Sequence, residues 1–313
     1  MSNLCDAIGL RMSYGKPGSQ YETEFEPATG TIWGYFNPRD GACFSVGLLQ
    51  DIAAHDAALA EKAGHLEIEG EFSKPNHYVL ASRTPKVFNM GGDLALFAML
   101  IKAQDRTAIA SYARLCIDNI YRRVQNFGSP NLTTISLVQG DALGGGFEAA
   151  LTSDVVIAEE SAQMGLPEIL FNLFPGMGAY SLLARRIGMR AAEEFILSGK
   201  VLSAAELHKI GIVDVVATDG QGETAVRNWI AKNARRRNGM QAVLRARNFI
   251  HPVTREELDG IVELWVDAAL RLSERDLRMM QRLVRAQTRR MEGAQSMPEM
   301  TAVAAPEPLL AAL

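Results

Sequence analysis

Two carboxylates set in apolar surroundings are the residues of this chain best suited to chemistry. Glu148 lies in "ALGGGFEAAL" (142–151), behind three glycines and a phenylalanine, and Glu168 lies in "MGLPEILF". A carboxylate among apolar neighbours is expensive to bury unless it is paired or used. Burial raises its pKa, so it can hold or donate a proton near neutral pH. Taken singly, each glutamate also fits a helix cap or a surface position. The glycines add weight to the chemical reading. Glycine inside a helix or strand costs roughly 0.5–1 kcal/mol relative to alanine. "LVQGDALGGGFEAAL" reads as strand, tight turn and helix, and "VFNMGGDLALF" repeats the arrangement with a glycine pair. Amides at such turns approach a ligand closely at a helix N-terminus. One amide from each turn, converging on a carbonyl oxygen, would form an oxyanion hole.

The elements that must position these groups are short and alternate in type. "TIWGYFN" (31–37), "HLEIEGEF" (65–72) and "HYVLAS" (77–82) read as strands from alternation or β-branched and aromatic content. The segment between Cys43 and Ala63 reads as a helix, and Leu94 to Lys102 as another that Asp93 caps. Ile109, Tyr112, Ala113, Cys116 and Ile120 recur at helical spacing, in a helix expected to end near Gly128. "TISLVQG" and "DVVIAEE" read as short buried strands, with short helices at 179–188 and 191–197. "SAAELHKIG" opens on a capping box, Ser203 with Glu206, and the strand "IVDVVA" follows. This alternation predicts an α/β fold with parallel pairing. Four segments are expected: a flexible arm (1–20), an α/β core with the active site (21–223), a C-terminal helical domain (224–291) and a Pro/Ala-rich disordered tail (292–313).

Composition removes several function classes. With 313 residues, 48% hydrophobic and 22% charged, the chain has the make-up of an ordinary soluble globular protein. A net charge of −4 gives no global reason to expect nucleic acid. No apolar run approaches the roughly 18 residues of a membrane span, and the N-terminus shows no basic-then-apolar leader. Cys5, Cys43 and Cys116 lie far apart, which argues against disulfides or zinc and fits a reducing cytoplasm. The histidines form no metal-binding pair, and Gly176-Met-Gly178 has no strand leading into it, so neither a metal nor a dinucleotide cofactor is expected. The C-terminal quarter runs the other way in charge. Between Glu223 and Met291 there are fifteen Lys or Arg against eight Asp or Glu. Arg271, Arg275, Arg278, Arg282, Arg285 and Arg289 recur every three or four residues, an arginine stripe along one helix. The stripe, or "ARRR" at 234–237, would either make salt bridges to neighbouring helices or another subunit, or dock an acidic partner.

The motifs in this order resemble the crotonase (enoyl-CoA hydratase/isomerase) superfamily, over roughly Tyr78 to Ala217. The resemblance rests on "VFNMGGD", "VQGDALGGGFEAALTSDVVIAEESAQMGLPEI", "PGMGAYSLLARRIG" and "ILSGKVLSAAELHKIGIVDVV". It implies a spiral of ββα units with a C-terminal helical region that builds trimers. It also implies an oxyanion hole from Gly145 and the Met90-Gly91 turn, with Glu148 and Glu168 matching the two catalytic glutamates of the hydratases. Two positions depart from common hydratases: Asn172 stands where they carry glycine, and Asn89-Met90-Gly91-Gly92 where they have an alanine-rich turn. "VFNMGGDL", "LPEILFNLFPGMGAYS", "GYFNPRDGACFSVGLLQDI" and "ELWVDAAL" are similar to the diffusible signal factor synthases of Gram-negative bacteria. That branch implies dehydration of a 3-hydroxyacyl group on acyl carrier protein and hydrolysis of the thioester to a free cis-2-unsaturated acid. It further implies a possible signal-receptor partner and a trimer or hexamer. Leu143, Gly144, Met177 and Trp265 are the expected acyl-pocket residues, with core packing the competing role for Leu143, Met177 and Trp265. Glu168 would protonate the leaving hydroxyl and Glu148 take the C2 proton, or the reverse. The rival readings are a generic enoyl-CoA hydratase and an acyl- or receptor-binding protein without turnover.

Overall fold

The computed structural model describes residues 10–295 apart from residues 40 and 69. The first nine residues of the expected arm and the tail beyond residue 295 lie outside the described residues. Strands β1 (Met12–Tyr14), β2 (Tyr21–Glu26) and β3 (Thr31–Phe36) lead to helix α1 (Val46–Glu61). The hairpin β4 (Leu66–Ile68) and β5 (Glu71–Ser73) follows, then β6 (His77–Ser82), β7 (Val87–Asn89), α2 (Leu94–Lys102) and α3 (Arg106–Val124). Next come β8 (Thr133–Val138), β9 (Asp141–Leu143), α4 (Gly145–Leu151), β10 (Val155–Glu159) and β11 (Gln163–Gly165). A 3-10 turn (Pro167–Phe171) precedes α5 (Ala179–Ile187), α6 (Met189–Ser198), β12 (Val201–Ser203), α7 (Ala204–Lys209) and β13 (Val215–Ala217). The remainder is helical: α8 (Gly222–Asn233), α9 (Arg237–Ile250), α10 (Arg255–Ala269) and α11 (Glu274–Gln295).

Two sheets organise these elements. The larger has the order β1-β2-β3-β6-β8-β10-β13 and the smaller β12-β11-β9-β7. From β3 to β13 the large sheet is parallel, and its central strands are apolar runs buried on both faces, as parallel sheets require. Each step of the spiral takes one strand in the large sheet, one in the small sheet, and then a helix. The sequence β6-β7-α2 is one such unit and β8-β9-α4 the next. Even the first step obeys the rule, because Phe44 bridges to Gly92 between β3 and α1. This is the expected α/β spiral with a C-terminal helical region.

Three local expectations change. The stretch 65–72 is a hairpin, turned at Gly70 with φ +84°, where glycine carries no steric cost. Helix α3, expected to run to near Gly128, stops at Val124 because Asn126 and Phe127 adopt positive φ. The arm is ordered from its middle: β1 pairs antiparallel with β2. The Arg11 guanidinium stacks 3.9 Å above the Trp33 ring and pairs with Glu223 at 2.6 Å. The helix α8, at the start of the expected C-terminal domain, packs Val226 and Ile230 with Trp33, Val79 and Ile135 on the sheet's outer face.

Parallel pairing of β7 with β9 brings their following turns together. Contact there is so close that a Cβ on Gly146 would collide with the Asn89 carbonyl oxygen. Gly260, inside α10, meets nothing within 4 Å. Gly146→Ala should therefore destabilise the protein by about 1–3 kcal/mol through overpacking. Gly260→Ala should be neutral or stabilising by up to about 1 kcal/mol. Urea unfolding of the two variants checks this; equal midpoints would contradict the close approach.

Candidate active site

The first turn is built around Asn89, which is fully buried at the end of β7. Its side-chain oxygen accepts from the Gly91 amide at 2.8 Å, a local turn that asparagine favours. The Met90 amide donates to the Ala42 carbonyl at 2.7 Å, and the Gly91 carbonyl accepts from the Phe44 amide at 2.8 Å. Tyr112 fixes the far side: its hydroxyl donates to the Phe44 carbonyl and accepts from the Asp93 amide. With Met90 and Gly91 both committed, the amide in this turn left without a partner among the described residues is that of Gly92. The expected donors Met90 and Gly91 are thus corrected to Gly92. Asp93 then caps α2, accepting from the Leu96 amide at 2.9 Å.

In the second turn, Gly144 stands at φ +51° and Gly145 opens α4. The first amides of a helix have no intrahelical acceptor, and the Gly145 amide has none among the described residues. The turns touch: a Cβ built on Gly145 would stand 3.5 Å from the Gly92 nitrogen, and one on Gly91 would stand 3.0 Å from the Gly145 nitrogen. The amides of Gly145 and Gly92 are therefore neighbours.

Glu148 sits one turn into α4 and is 2% exposed. One carboxyl oxygen accepts from the Met177 and Ala179 amides, at 2.9 and 3.0 Å, where α5 begins. Burial pushes its pKa up to about 7, against the lowering pull of those two amides. Glu168 lies on the 3-10 turn after β11. Its Oε2 is buried without a partner, and a Cβ on Gly144 would lie 2.5 Å from its Oε1. Burial, and then the nearby Glu148 charge, raise Glu168 to about 8. Asn172 closes this turn in the left-handed conformation, φ 62°. Asparagine tolerates that region better than other side chains, so it can stand where common hydratases are expected to carry glycine.

One slot-like cavity joins these groups. Its lining includes Gly92, Gly145, Glu148, Glu168, Met177 and Trp265, and also Asn119 and Arg123. Its free volume is about 80 Å³, against ~300–1,000 Å³ for a small-molecule pocket. A chain fills it only as adaptable side chains such as Met177 move. Leu143 is not part of the lining; it packs with Ala42, Val87 and Met90 in a separate cluster. Gly144 contributes by making room for the Glu168 carboxyl. Among the described residues no cluster of His, Cys, Asp or Glu could hold a metal.

Both carboxyls carry pKa values above that of an ordinary glutamate, so the folded protein keeps protons that the unfolded chain releases. Their stability contribution is complete below the unfolded value and is lost as pH rises through about 7 and 8. Thermal unfolding measured from pH 5 to pH 9 should show Tm falling across that window. The Glu148→Gln/Glu168→Gln double variant should fall less steeply; identical slopes would show that the pair holds no such protons.

The enoyl-CoA hydratase/isomerase family pattern matches residues 73–295. The fatty acid oxidation complex subunit alpha of Pseudomonas savastanoi pv. phaseolicola is 34% identical over 154 residues, 49% of this chain and 21% of that protein. Mouse mitochondrial methylglutaconyl-CoA hydratase is 33% identical over 150 residues, 48% of this chain and 45% of that protein. The chain spans less than half the length of either relative. Among solved structures, the enoyl-CoA hydratase of Bacillus halodurans superposes with a TM-score of 0.68 at 18% identity, covering 84% of this chain and 100% of the other. DspI of Pseudomonas aeruginosa gives 0.58 at 23% identity, covering 90% and 99%. Both show a shared fold. The span matched by the family pattern takes in both glycine turns and both glutamates, and this chain belongs to the enoyl-CoA hydratase/isomerase family.

Proposed function

We propose that the protein dehydrates a 3-hydroxyacyl thioester on acyl carrier protein to the cis-2-enoyl thioester, then hydrolyses it to a free unsaturated acid that serves as a signal. The observation that carries this reading is the pair of buried carboxyls lining one cavity with the Gly92 and Gly145 amides. Burial raises both carboxyls so that either can take or give a proton near neutral pH; here Glu148 is assigned as the base and Glu168 as the acid. Glu148 takes the C2 proton while the thioester oxygen gains charge against the two amides. Glu168 gives its proton to the C3 hydroxyl, and the C3–O bond breaks to release water. Glu168, now ionised, can take a proton from a water attacking the thioester carbon. Protonated Glu148 supplies the departing thiol, and both groups return to their starting states.

The carrier reading draws on surface charge. Arg271, Arg275, Arg278 and Arg282 line a groove with Ile169 and Leu170, which adjoin Glu168 in sequence. Acyl carrier proteins are acidic, and an exposed cationic rim beside the acid group suits such a partner. The "ARRR" segment is less available, because Arg237 donates to the Asn131 carbonyl and Arg236 to Asn233. The side chain of Arg289 lies outside the described residues. The family resemblance adds a sensor of the signal, and further copies of this chain, to the proposed partners. Val243, Phe249 and Ile250 leave an apolar face of α9 exposed for the latter.

The coarser alternative is hydration of an enoyl-CoA, which would use the same glutamates and amides. Purified enzyme given carrier-linked 3-hydroxyacyl substrates should release free cis-2-enoic acid, read by mass spectrometry. Glu148→Gln and Glu168→Gln should each reduce this at least about a hundredfold. Full turnover by either variant, or turnover confined to coenzyme A esters without free acid, would overturn the assignment. Arg278→Glu/Arg282→Glu should raise KM for the carrier-linked substrate about tenfold, since each 1.4 kcal/mol is a factor of ten. An unchanged KM would remove this docking surface.

A further inference from the structure

The cavity lining also carries polar side chains. Arg123 on α3 is 4% exposed and lines the cavity together with Asn119 and Thr152. Its Nε donates to the Thr152 hydroxyl and its Nη2 to the Ser153 hydroxyl, both at 3.2 Å. The guanidinium carbon stands 4.9 Å from the Tyr78 ring centre. Nη1 is buried and has no partner among the described residues. One helical turn earlier, on the same face, Asn119 donates from its amide nitrogen to the Leu49 carbonyl at 3.1 Å. That bond orients the amide, and its Oδ1 is left buried and unpartnered. Thr152 follows Gly145 by seven residues along α4, which at 1.5 Å per residue places Arg123's partner about 10 Å from the oxyanion amides. Two residues of the cavity lining that also holds the two glutamates thus carry an unmet buried donor and an unmet buried acceptor. Buried polar groups in folded proteins are otherwise almost always satisfied.

We propose that Arg123 and Asn119 read the far end of the acyl chain, and that the preferred substrate carries a hydroxyl there, terminal or nearly so. The hydroxyl oxygen accepts from Arg123 Nη1, and its hydrogen is donated to Asn119 Oδ1. This inference rests on the acyl-thioester reading and names its substrate class more narrowly. A hydroxyl fits better than a carboxylate for two reasons. Asn119 presents an acceptor, which repels an anion. Asp56, fully buried with its Oδ1 2.9 Å from His55 Nδ1 and its Oδ2 unpartnered, already places one carboxyl in the same region, as both it and Arg123 act on the Tyr21 hydroxyl, and burying a carboxylate beside it would be costly. A trapped water would satisfy the same two atoms, and is the competing occupant.

The test compares carrier-linked 3-hydroxyacyl substrates in matched pairs, methyl-ended and ω-hydroxylated, over a series of chain lengths on the wild-type protein. Calorimetric binding of the corresponding free acids runs in parallel. At the length that reaches Arg123, the hydroxylated chain should be favoured about tenfold or more in kcat/KM and in Kd, because sites built to hydrogen-bond a hydroxyl reject the analogue lacking it. Arg123→Met and Asn119→Leu should each shrink that preference, and the second leaves the contacts of Arg123 with Thr152 and Ser153 in place. Turnover of methyl-ended chains with no preference at any length would overturn this inference and leave the proposed reaction standing. A binding preference without turnover of any carrier substrate would do the opposite. Neither turnover nor preference would remove both.

Discussion

The close contact between two backbone turns is the constraint on which the site depends. The Asn89–Gly92 turn and the Leu143–Gly146 turn follow strands that pair in the small sheet, and they meet without side chains between them. Any Cβ at Gly146 would force them apart. The contact brings the amides of Gly92 and Gly145 side by side. An oxyanion hole works by preorganised donors that need no rearrangement as charge develops. In the proposed hole that organisation would come from Asn89, Phe44 and Tyr112, which hold the first turn from three sides.

The second constraint is desolvation. Glu148 lies in the first turn of the helix that Gly145 opens, so the element that presents an amide also buries a carboxyl. Glu168 reaches the same cavity from a 3-10 turn, and its carboxyl occupies the space left by the missing side chain of Gly144. Burial then raises both groups into the range where protons exchange near neutral pH, and the Glu148 charge adds to the rise at Glu168.

Much of this was legible in the residues themselves. The parallel α/β order followed from short apolar strands alternating with capped helices, and Asp93 and Ser203 cap where their positions imply. Glu148 and Glu168 stood out because carboxylates in apolar runs demand an explanation. The donor in the first turn was misplaced by one or two residues. Asparagine bonds its own backbone two residues on, so "NMGG" withdraws the Gly91 amide, and this signal was present in the sequence. Leu143 was misassigned because adjacency to a glycine loop does not say which face of a strand a side chain takes. Asn119 and Arg123 lie four residues apart on one helix, but nothing local in the sequence says that they line the cavity that holds Glu148. That depends on how the spiral packs, which is non-local.

The central claim is that the Gly92 and Gly145 amides hold a thioester oxygen while Glu148 moves the C2 proton. It is tested most directly without elimination, with a carrier-linked saturated acyl thioester that lacks the 3-hydroxyl. In heavy water, wild-type enzyme should wash deuterium into C2, observable by NMR. Glu168→Gln should retain that exchange, because the acid acts only on the missing hydroxyl, and Glu148→Gln should lose it. No exchange in the wild type, or undiminished exchange in Glu148→Gln, would contradict the account.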